Sequence, residues 1–299
     1  MKPPNALAHK GEAVEEWIDL RFFRPAGLRL ARVLAPTAVT PNQVTLWAML
    51  VGVLAGHLFY YSSRTVNLIG VALFIVSDIF DSADGQLARM RGTSSRLGRL
   101  LDGSSDSVRF ISLYGHLLVR LLHAEWGWSA VLLIAVAGWS HSLQSAAIDF
   151  IRNAFLEVAE GDGGELDLPE DAAVGPGGSA LSRFGARLYR DYARRQAFLF
   201  PRTVRLVRAL RQGQLNGDLP EAYAQRLRPV LWWCAWLGQN FRFVLLAIAA
   251  VEARASLFPW ITATALNAVL AGIILTQESQ AAALLGEAGG PADGYARIR

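Results

Sequence analysis

Charge is what this sequence has least of. Only 18% of its 299 residues are Asp, Glu, Lys or Arg, where soluble domains carry about a quarter. Hydrophobic residues make up 53%. That balance argues against an ordinary soluble surface and makes a membrane protein the leading class. The single cysteine, Cys234, excludes an internal disulfide framework. No Cys/His cluster with zinc spacing is present, and the few histidines are scattered. The polar segment Met1–Glu16 lacks the apolar core of a cleaved signal peptide. Lysine is scarce too: nearly all of the basic residues behind the net charge of +4 are arginines.

What is present is apolar run after apolar run. A spanning helix needs roughly 20 mostly apolar residues. The expected spans are Val44–Tyr61, Val66–Phe80, Val108–Leu122, Ser129–Phe155, Val230–Val251 and Leu257–Thr276. The connection after Phe80 carries Arg89, Arg91, Arg96 and Arg99, and the long segment after Phe155 carries eleven further arginines between Arg183 and Arg228. The opposite connections, around Arg64, Glu125 and Arg254, are short and nearly neutral. Arginine accumulates on the cytoplasmic side of membrane proteins. The expected fold is therefore all-α: an integral membrane helical bundle of six transmembrane helices, both termini inside, multi-pass in the cell (inner) membrane, with its polar site facing the cytoplasm.

Ahead of the first span, Trp17, Leu20, Leu28 and Val33 alternate with Arg21, Arg24, Arg29 and Arg32. This predicts an N-terminal amphipathic interfacial helix, bent or interrupted at Pro25. The chain then divides into residues 1–43 (tail and interfacial helix), 44–156 (spans one to four), 157–229 (an Arg-rich cytoplasmic insertion), 230–278 (spans five and six) and 279–299 (C-terminal tail). Within the insertion, Glu157–Gly178 is acidic and rich in Gly and Pro, a composition that favours mobility. Ser179–Arg211 sets Leu181, Phe184, Leu188 and Tyr192 near helical spacing among arginines, with Pro201 as a break. Such a helix suits an anionic lipid surface. Nothing else in the chain resembles a reader of bases, so nucleic acid is not an expected partner.

The polar exception is Asp81–Asp106, DSADGQLARMRGTSSRLGRLLDGSSD. Asp81, Asp84, Gly85 and Ala88 fall at i, i+3, i+4 and i+7 and share one helix face. Gly98, Asp102 and Asp106 fall at i, i+4 and i+8 and share another. Two antiparallel helices joined by a short loop point these four carboxylates at a common space. Carboxylates inside a membrane are costly unless paired or functional. Hard divalent cations are their natural partners, because they prefer oxygen ligands and are held by a few carboxylates plus substrate phosphates. Gly85 and Ala88 leave room for a bulky substrate on the same face, and Arg89 offers a phosphate contact. Caps and ion pairs with Arg96, Arg99 or Arg109 would explain any single aspartate, but not all four at this spacing.

The stretch resembles the signature of the CDP-alcohol phosphotransferase (CDP-alcohol phosphatidyltransferase) family, D-x2-D-G-x2-A-R, eight residues, then G-x3-D-x3-D, at every position. Asp78 forms a second D-x2 pair with Asp81 but has no glycine after it, so the register starts at Asp81. Upstream, Thr40-Pro41-Asn42-Gln43-Val44-Thr45 resembles the segment that opens the first span in this family. The likeness covers the first half of the chain; past about Leu122 it rests on span count. It implies two divalent ions, Mg²⁺ or Mn²⁺, on Asp81, Asp84, Asp102 and Asp106, with Asp106 as the base that takes the acceptor hydroxyl proton. It also implies donor contacts at Asn42, Thr45, Gly85, Ala88, Arg89 and Ser95. The expected reaction is transfer of a phosphatidyl group from CDP-diacylglycerol, or a related CDP-alcohol, to an alcohol, with release of CMP in phospholipid biosynthesis.

For the acceptor, the motif is silent. Arg109 lies one turn beyond Asp106, Ser145, Asp149 and Arg152 share a face of the fourth span, and Asn240 and Arg242 open the fifth. Two or three arginines, Arg109, Arg152 and Arg242, would suit a phosphorylated acceptor. Against this stands a plain reading, in which Asp149 pairs with Arg152 and Arg242 reaches toward the interface. A CDP-choline or CDP-ethanolamine type transferase onto diacylglycerol and, in another class, a divalent cation transporter remain alternatives. Spans five and six are apolar enough for a homodimer interface. Topology is directly testable: reporters inserted at Gly163 and Gly217 should both be found in the cytoplasm. An externally accessible reporter at either position would overturn the six-span arrangement.

Overall fold

The structure, a computed structural model, describes residues 13–93, 96–161, 166–171, 180–215 and 218–287, and within these the backbone alone at 96–104, 180–186, 188 and 189. Ser95, Gly163 and Gly217 lie outside the described residues, as does the side chain of Asp102. Every regular element among the described residues is helical. They are α1 (Arg24–Leu34), α2 (Pro41–Leu58), α3 (Arg64–Arg91), α4 (Arg96–His123), α5 (Trp128–Glu160), α6 (Ala180–Leu199), α7 (Pro201–Arg211), α8 (Leu219–Cys234), α9 (Gln239–Val251), α10 (Leu257–Ala263) and α11 (Ala265–Glu287). The chain forms two compact units, one of Met1–His141 with Gln239–Thr264 and the other of Ser142–Gly238 with Ala265–Arg299.

Four helical stretches among the described residues are long and apolar enough to cross a membrane: Arg64–Arg91, Trp128–Glu160, Leu219–Val251 and Leu257–Glu287. The chain is thus a membrane protein by its helices, but two of the six expected spans fall outside this set. Helix α2 is only 18 residues long and opens on Pro41, Asn42 and Gln43, and α4 carries arginines and aspartates along its first half. The other spans are longer than the apolar runs suggested. Helix α3 continues through Asp81 and Asp84 to Gly92, whose φ of +65° ends it in a left-handed cap. The fifth run begins at Leu219 and is broken at Gly238, and the sixth is broken at Thr264 and continues to Glu287. Residues 279–287 are therefore helix rather than tail, with Ala281, Leu284 and Leu285 buried.

In the first unit, α2 packs against both α3 and α4, and α1 and α9 pack on α3. A capping box starts α2: Gln43 N–H donates to the Thr40 hydroxyl (3.3 Å), while the Gln43 side chain accepts from Thr40 N–H (2.8 Å). Small residues on α2 then let its neighbours come close. A Cβ on Gly56 would stand 2.7 Å from the backbone nitrogen of Leu113, and one on Gly52 only 2.2 Å from Arg109 Cδ. Arg91, at the end of α3, donates to the carbonyls of Leu34 (2.9 Å), Ala35 (3.1 Å), Thr37 (2.9 Å) and Val39 (2.5 Å), fixing the α1–α2 turn. Packing of Ala31, Val44, Ala83 and Leu87 closes the apolar core beneath it.

Ahead of the first expected span, Arg24–Leu34 form helix α1, and Pro25 does not interrupt it. A π-helical turn, Asp19–Phe23, precedes the proline, and Pro25 sits in the first turn of α1, where no intrahelical N–H is needed. Phe23, Gly27 and Ala31 are buried, and a Cβ on Gly27 would meet Ser82 Oγ of α3 at 2.7 Å. Trp17, Phe22 and Val33 remain exposed.

In the second unit, α11 packs against α7 and α8. The buried Glu278 carboxylate of α11 accepts from the N–H groups of Arg202 (2.7 Å) and Thr203 (3.0 Å) and from the Thr203 hydroxyl (2.8 Å). It thereby caps the N-terminus of α7, which Pro201 opens. The acidic stretch 157–178 is described only in part, and that part is anchored rather than loose. Leu166 and Leu168 are buried, and Arg211 bridges Glu157 (2.6 Å), Asp171 (2.7 Å) and the Leu166 carbonyl (2.8 Å). Arg208 binds Glu170 through two nitrogens, at 2.7 and 2.9 Å. This hydrogen bonding holds the Glu170 carboxyl below its usual range. Burial alone would raise Asp171, but the Leu168 N–H and Arg211 outweigh it and hold that carboxyl low as well. Glu157, Glu170 and Asp171 thus find their counter-charges in α7, a match that composition did not reveal.

The close approach of α2 and α4 predicts a contrast between two glycines. Gly56→Ala would press on the backbone of α4 and should destabilise the protein by about 1–3 kcal/mol, the usual scale of overpacking. Gly115→Ala, with nothing within 4 Å of the new methyl, should be neutral or slightly stabilising, by up to about 1 kcal/mol. Thermal unfolding in detergent separates the two, and equal shifts would refute the packing argument.

Candidate active site

Three helices of the first unit bring the motif together. Asp81 and Asp84 lie one turn apart on α3, inside a helix that runs past them. Asp84 is buried and accepts the Thr45 hydroxyl of α2 at 2.5 Å. Thr45 sits in the first turns of α2, which the capping box holds in place, so the segment around Asn42 is joined to the motif. Asn42 itself is exposed. Gly85 and Ala88 are partly open, and a Cβ on Gly85 would meet only the Arg89 guanidinium, at 3.4 Å. Room on that face is therefore real.

Asp106, on α4, is half exposed, and it shares a cation with α3. The Arg109 guanidinium, 1% exposed, pairs with Asp106, with Asp81 (3.3 Å) and with Asp78 (2.8 Å), and it donates to Ser77 Oγ (2.8 Å). Gln239, at the start of α9, also donates to Asp78, at 2.6 Å. Of the residues expected at the acceptor, Arg109 is therefore withdrawn among acids. Arg242 is buried in the first unit rather than reaching out to an interface. Asn240 is held by Glu16 (2.8 Å) and Asp19 (2.9 Å). Arg152 belongs to the second unit, where Asp149 accepts from the Tyr192 hydroxyl at 3.0 Å. His116 and His141 take packing roles, against His57 and Tyr114 respectively.

Among the described residues, no three Asp, Glu, His or Cys side chains stand together closely enough to hold a metal ion; the fourth motif acid, Asp102, is not among the described side chains. The donor chemistry nevertheless suits a hard cation. Carboxylates from two helices, Asp81 and Asp106, already meet at one positively charged nitrogen, and oxygen is the ligand such ions prefer. Sequence reading missed Ser77, Asp78 and Gln239. Asp78 gave a signal, since it lies one turn before Asp81 on the same helix; Gln239 gave none.

Comparison with known proteins agrees with this site. Residues 38–153 match the family model of CDP-alcohol phosphatidyltransferase. The chain is 29% identical over 138 residues to an archaetidylinositol phosphate synthase of Pyrococcus horikoshii, covering 46% of this chain and 70% of that protein. It is 29% identical over 161 residues to a phosphatidylinositol phosphate synthase of Mycobacteroides abscessus, covering 51% of this chain and 67% of that one. A phosphatidylinositol phosphate synthase of Streptomyces avermitilis is 37% identical over 107 residues, 35% of this chain and 42% of its own. The match over residues 38–153, which hold the whole acid cluster, and the likeness to these synthases make the chain a phosphotransferase similar to the CDP-alcohol phosphatidyltransferases.

Proposed function

We propose that the chain transfers the phosphatidyl group of CDP-diacylglycerol to a phosphorylated inositol, releasing CMP. The observation that carries this reading is the meeting of Asp81 and Asp106, from two helices, at one cationic nitrogen, with Thr45 hydrogen-bonded to Asp84 beside them. Likeness to the CDP-alcohol phosphatidyltransferases supplies the reaction class, and the inositol phosphate in the names of the relatives nominates the acceptor. That nomination is analogy, and it is tested as such.

In the transfer, the acceptor hydroxyl oxygen attacks the phosphatidyl phosphorus, and the bond from that phosphorus to the CMP oxygen breaks, the electron pair leaving with CMP. Asp106 takes the hydroxyl proton. Its half-exposed side chain suits that role better than the buried Asp84, since a base must come within hydrogen-bond reach of the proton it removes. Two Mg²⁺ or Mn²⁺ ions on Asp81, Asp84, Asp102 and Asp106 would neutralise the pyrophosphate and stabilise the attacking and leaving oxygens. Thr45 orients Asp84 and, with Asn42, Gly85, Ala88, Arg89 and Ser95, contacts the CDP donor. Of the arginines expected at the acceptor, Arg242 of the first unit remains proposed for its phosphate, and Arg109 is reassigned to the acids.

The same reading keeps six spans with the site on the cytoplasmic side. Apolar residues on the outer faces support membrane-spanning roles for α2 and α4, with Leu46, Trp47, Leu50 and Leu54 exposed on the first and Ile111, Val119 and Leu122 on the second. Exposed Trp17, Phe22 and Val33 support an interfacial seat for the N-terminal helix.

Purified full-length protein with CDP-diacylglycerol and Mg²⁺ should release CMP fastest with inositol phosphate. Unphosphorylated inositol, glycerol phosphate and serine should be slower by about tenfold or more, the scale on which a site built for one polar group discriminates. Faster release with serine or glycerol phosphate would replace the acceptor, and turnover of CDP-choline with diacylglycerol would replace the donor.

The base and the metal ligands should separate on substitution. Asp106→Asn is expected to keep donor affinity while turnover falls by a factor on the order of 100 or more. Asp81→Asn and Asp84→Asn should lose donor binding and turnover together, as wild type should in excess EDTA. Near-native turnover in Asp106→Asn would remove the base assignment, and CMP release undiminished by EDTA would remove the metals.

A further inference from the structure

The two terminal nitrogens of Arg109 divide their partners. Nη1 donates to Ser77 Oγ (2.8 Å) and to Asp78 Oδ1 (2.8 Å), neither of which belongs to the motif. Nη2 meets the motif acids Asp81, at 3.3 Å, and Asp106. The Nη1 anchors are themselves fixed from other helices. Asp78 Oδ1 also accepts from Gln239 Nε2 of α9 (2.6 Å), and Ser77 Oγ donates to the Ala48 carbonyl of α2 (2.7 Å). The stem of Arg109 crosses α2 at Gly52, where any side chain would collide with it. Four helices, α2, α3, α4 and α9, thus set the direction of one guanidinium.

That direction matters for the acids. Guanidinium is a permanent cation, and carboxylates bind it most strongly through two parallel N–H groups. A guanidinium so bound to Asp81 or Asp106 would compete with any divalent ion for the same oxygens. Among the described side chains, Asp78 and Ser77 occupy one nitrogen, and the other turns to Asp81 and Asp106.

We propose that Asp78 is a positioning residue: by holding Nη1 of Arg109, with Gln239 and Ser77 in support, it keeps the guanidinium from closing as a two-nitrogen fork on Asp81 and Asp106, and so sets how readily those carboxylates accept a divalent cation. The inference rests on the metal-assisted transfer proposed above and adds a residue outside the signature to it. Asp78 acts through Arg109 and need not touch substrate.

The test titrates full-length protein with Mn²⁺, following free Mn²⁺ by electron paramagnetic resonance, alongside CMP release at each Mn²⁺ concentration. Asp78→Asn should weaken Mn²⁺ binding about tenfold, while its turnover at saturating Mn²⁺ returns to within about threefold of wild type, a split that general loss of packing does not give. In an Arg109→Gln background the same substitution should change Mn²⁺ affinity by less than about twofold, because the fork it controls is gone. Ser77→Ala removes a partner of Nη1 without changing any charge. It should weaken Mn²⁺ binding about threefold, and it carries the test if Asp78→Asn does not fold.

Unchanged Mn²⁺ affinity in these variants overturns the inference and leaves the transfer reading standing. So does a loss in Asp78→Asn that persists in full without Arg109, which would mark Asp78 as a simple charge. Mn²⁺ binding with no CMP release from any CDP donor overturns the transfer reading instead, and wild-type protein that binds no Mn²⁺ overturns both.

Discussion

A guanidinium buried to 1% exposure inside a bundle of apolar helices is tolerable only with its charge answered and its donors occupied, because desolvating an unpaired ion costs several kcal/mol. Arg109 meets that condition with Asp78, Asp81 and Asp106. Much of the first unit follows from this. Helix α2 must be bare at Gly52 for the arginine stem to pass, α3 must present Ser77, Asp78 and Asp81 on one face, and α9 must begin where Gln239 reaches Asp78. Removing any one acid would leave the others to neutralise a charge that cannot escape to water. The acids of the motif are in this sense structural as well as chemical.

Burial then differentiates carboxylates that look alike in sequence. Asp84 is enclosed and receives a hydroxyl hydrogen bond from Thr45, whereas Asp106 keeps half of its side chain open. An enclosed, hydrogen-bonded carboxylate is suited to holding a cation in fixed geometry. An open one is suited to meeting a substrate hydroxyl. The division of labour proposed for the transfer rests on this difference.

The second unit solves a similar problem by other means. Glu278 is buried, and its charge is answered by the N-terminus of α7 rather than by an arginine. Arg208 and Arg211, which the sequence offers as surface charge for lipid, are instead engaged by Glu157, Glu170 and Asp171. A lipid-facing role for the insertion must therefore fall to its other arginines.

The sequence by itself determined the helical class, the membrane character and the positions of the motif acids. These depend on local signals: apolar runs, and spacings along a single helix that put Asp81 with Asp84 and Asp102 with Asp106. The helix start at Thr40, whose capping box is complete within four residues, lies ahead of the expected Val44. The tertiary structure alone decided what those acids face. Asp78 reads as a stray acid until α4 brings Arg109 to it, and Gln239 lies 161 residues away in the chain. Arg109 was read as a contact for substrate phosphate because its spacing from Asp106 fits one helical turn, which says nothing of what lies across the helix interface. Helix lengths were misjudged for a related reason. Falling hydropathy ended the expected second span at Phe80, whereas α3 carries on through Asp81 and Asp84 because neighbouring helices supply the hydroxyl and guanidinium partners that lipid cannot.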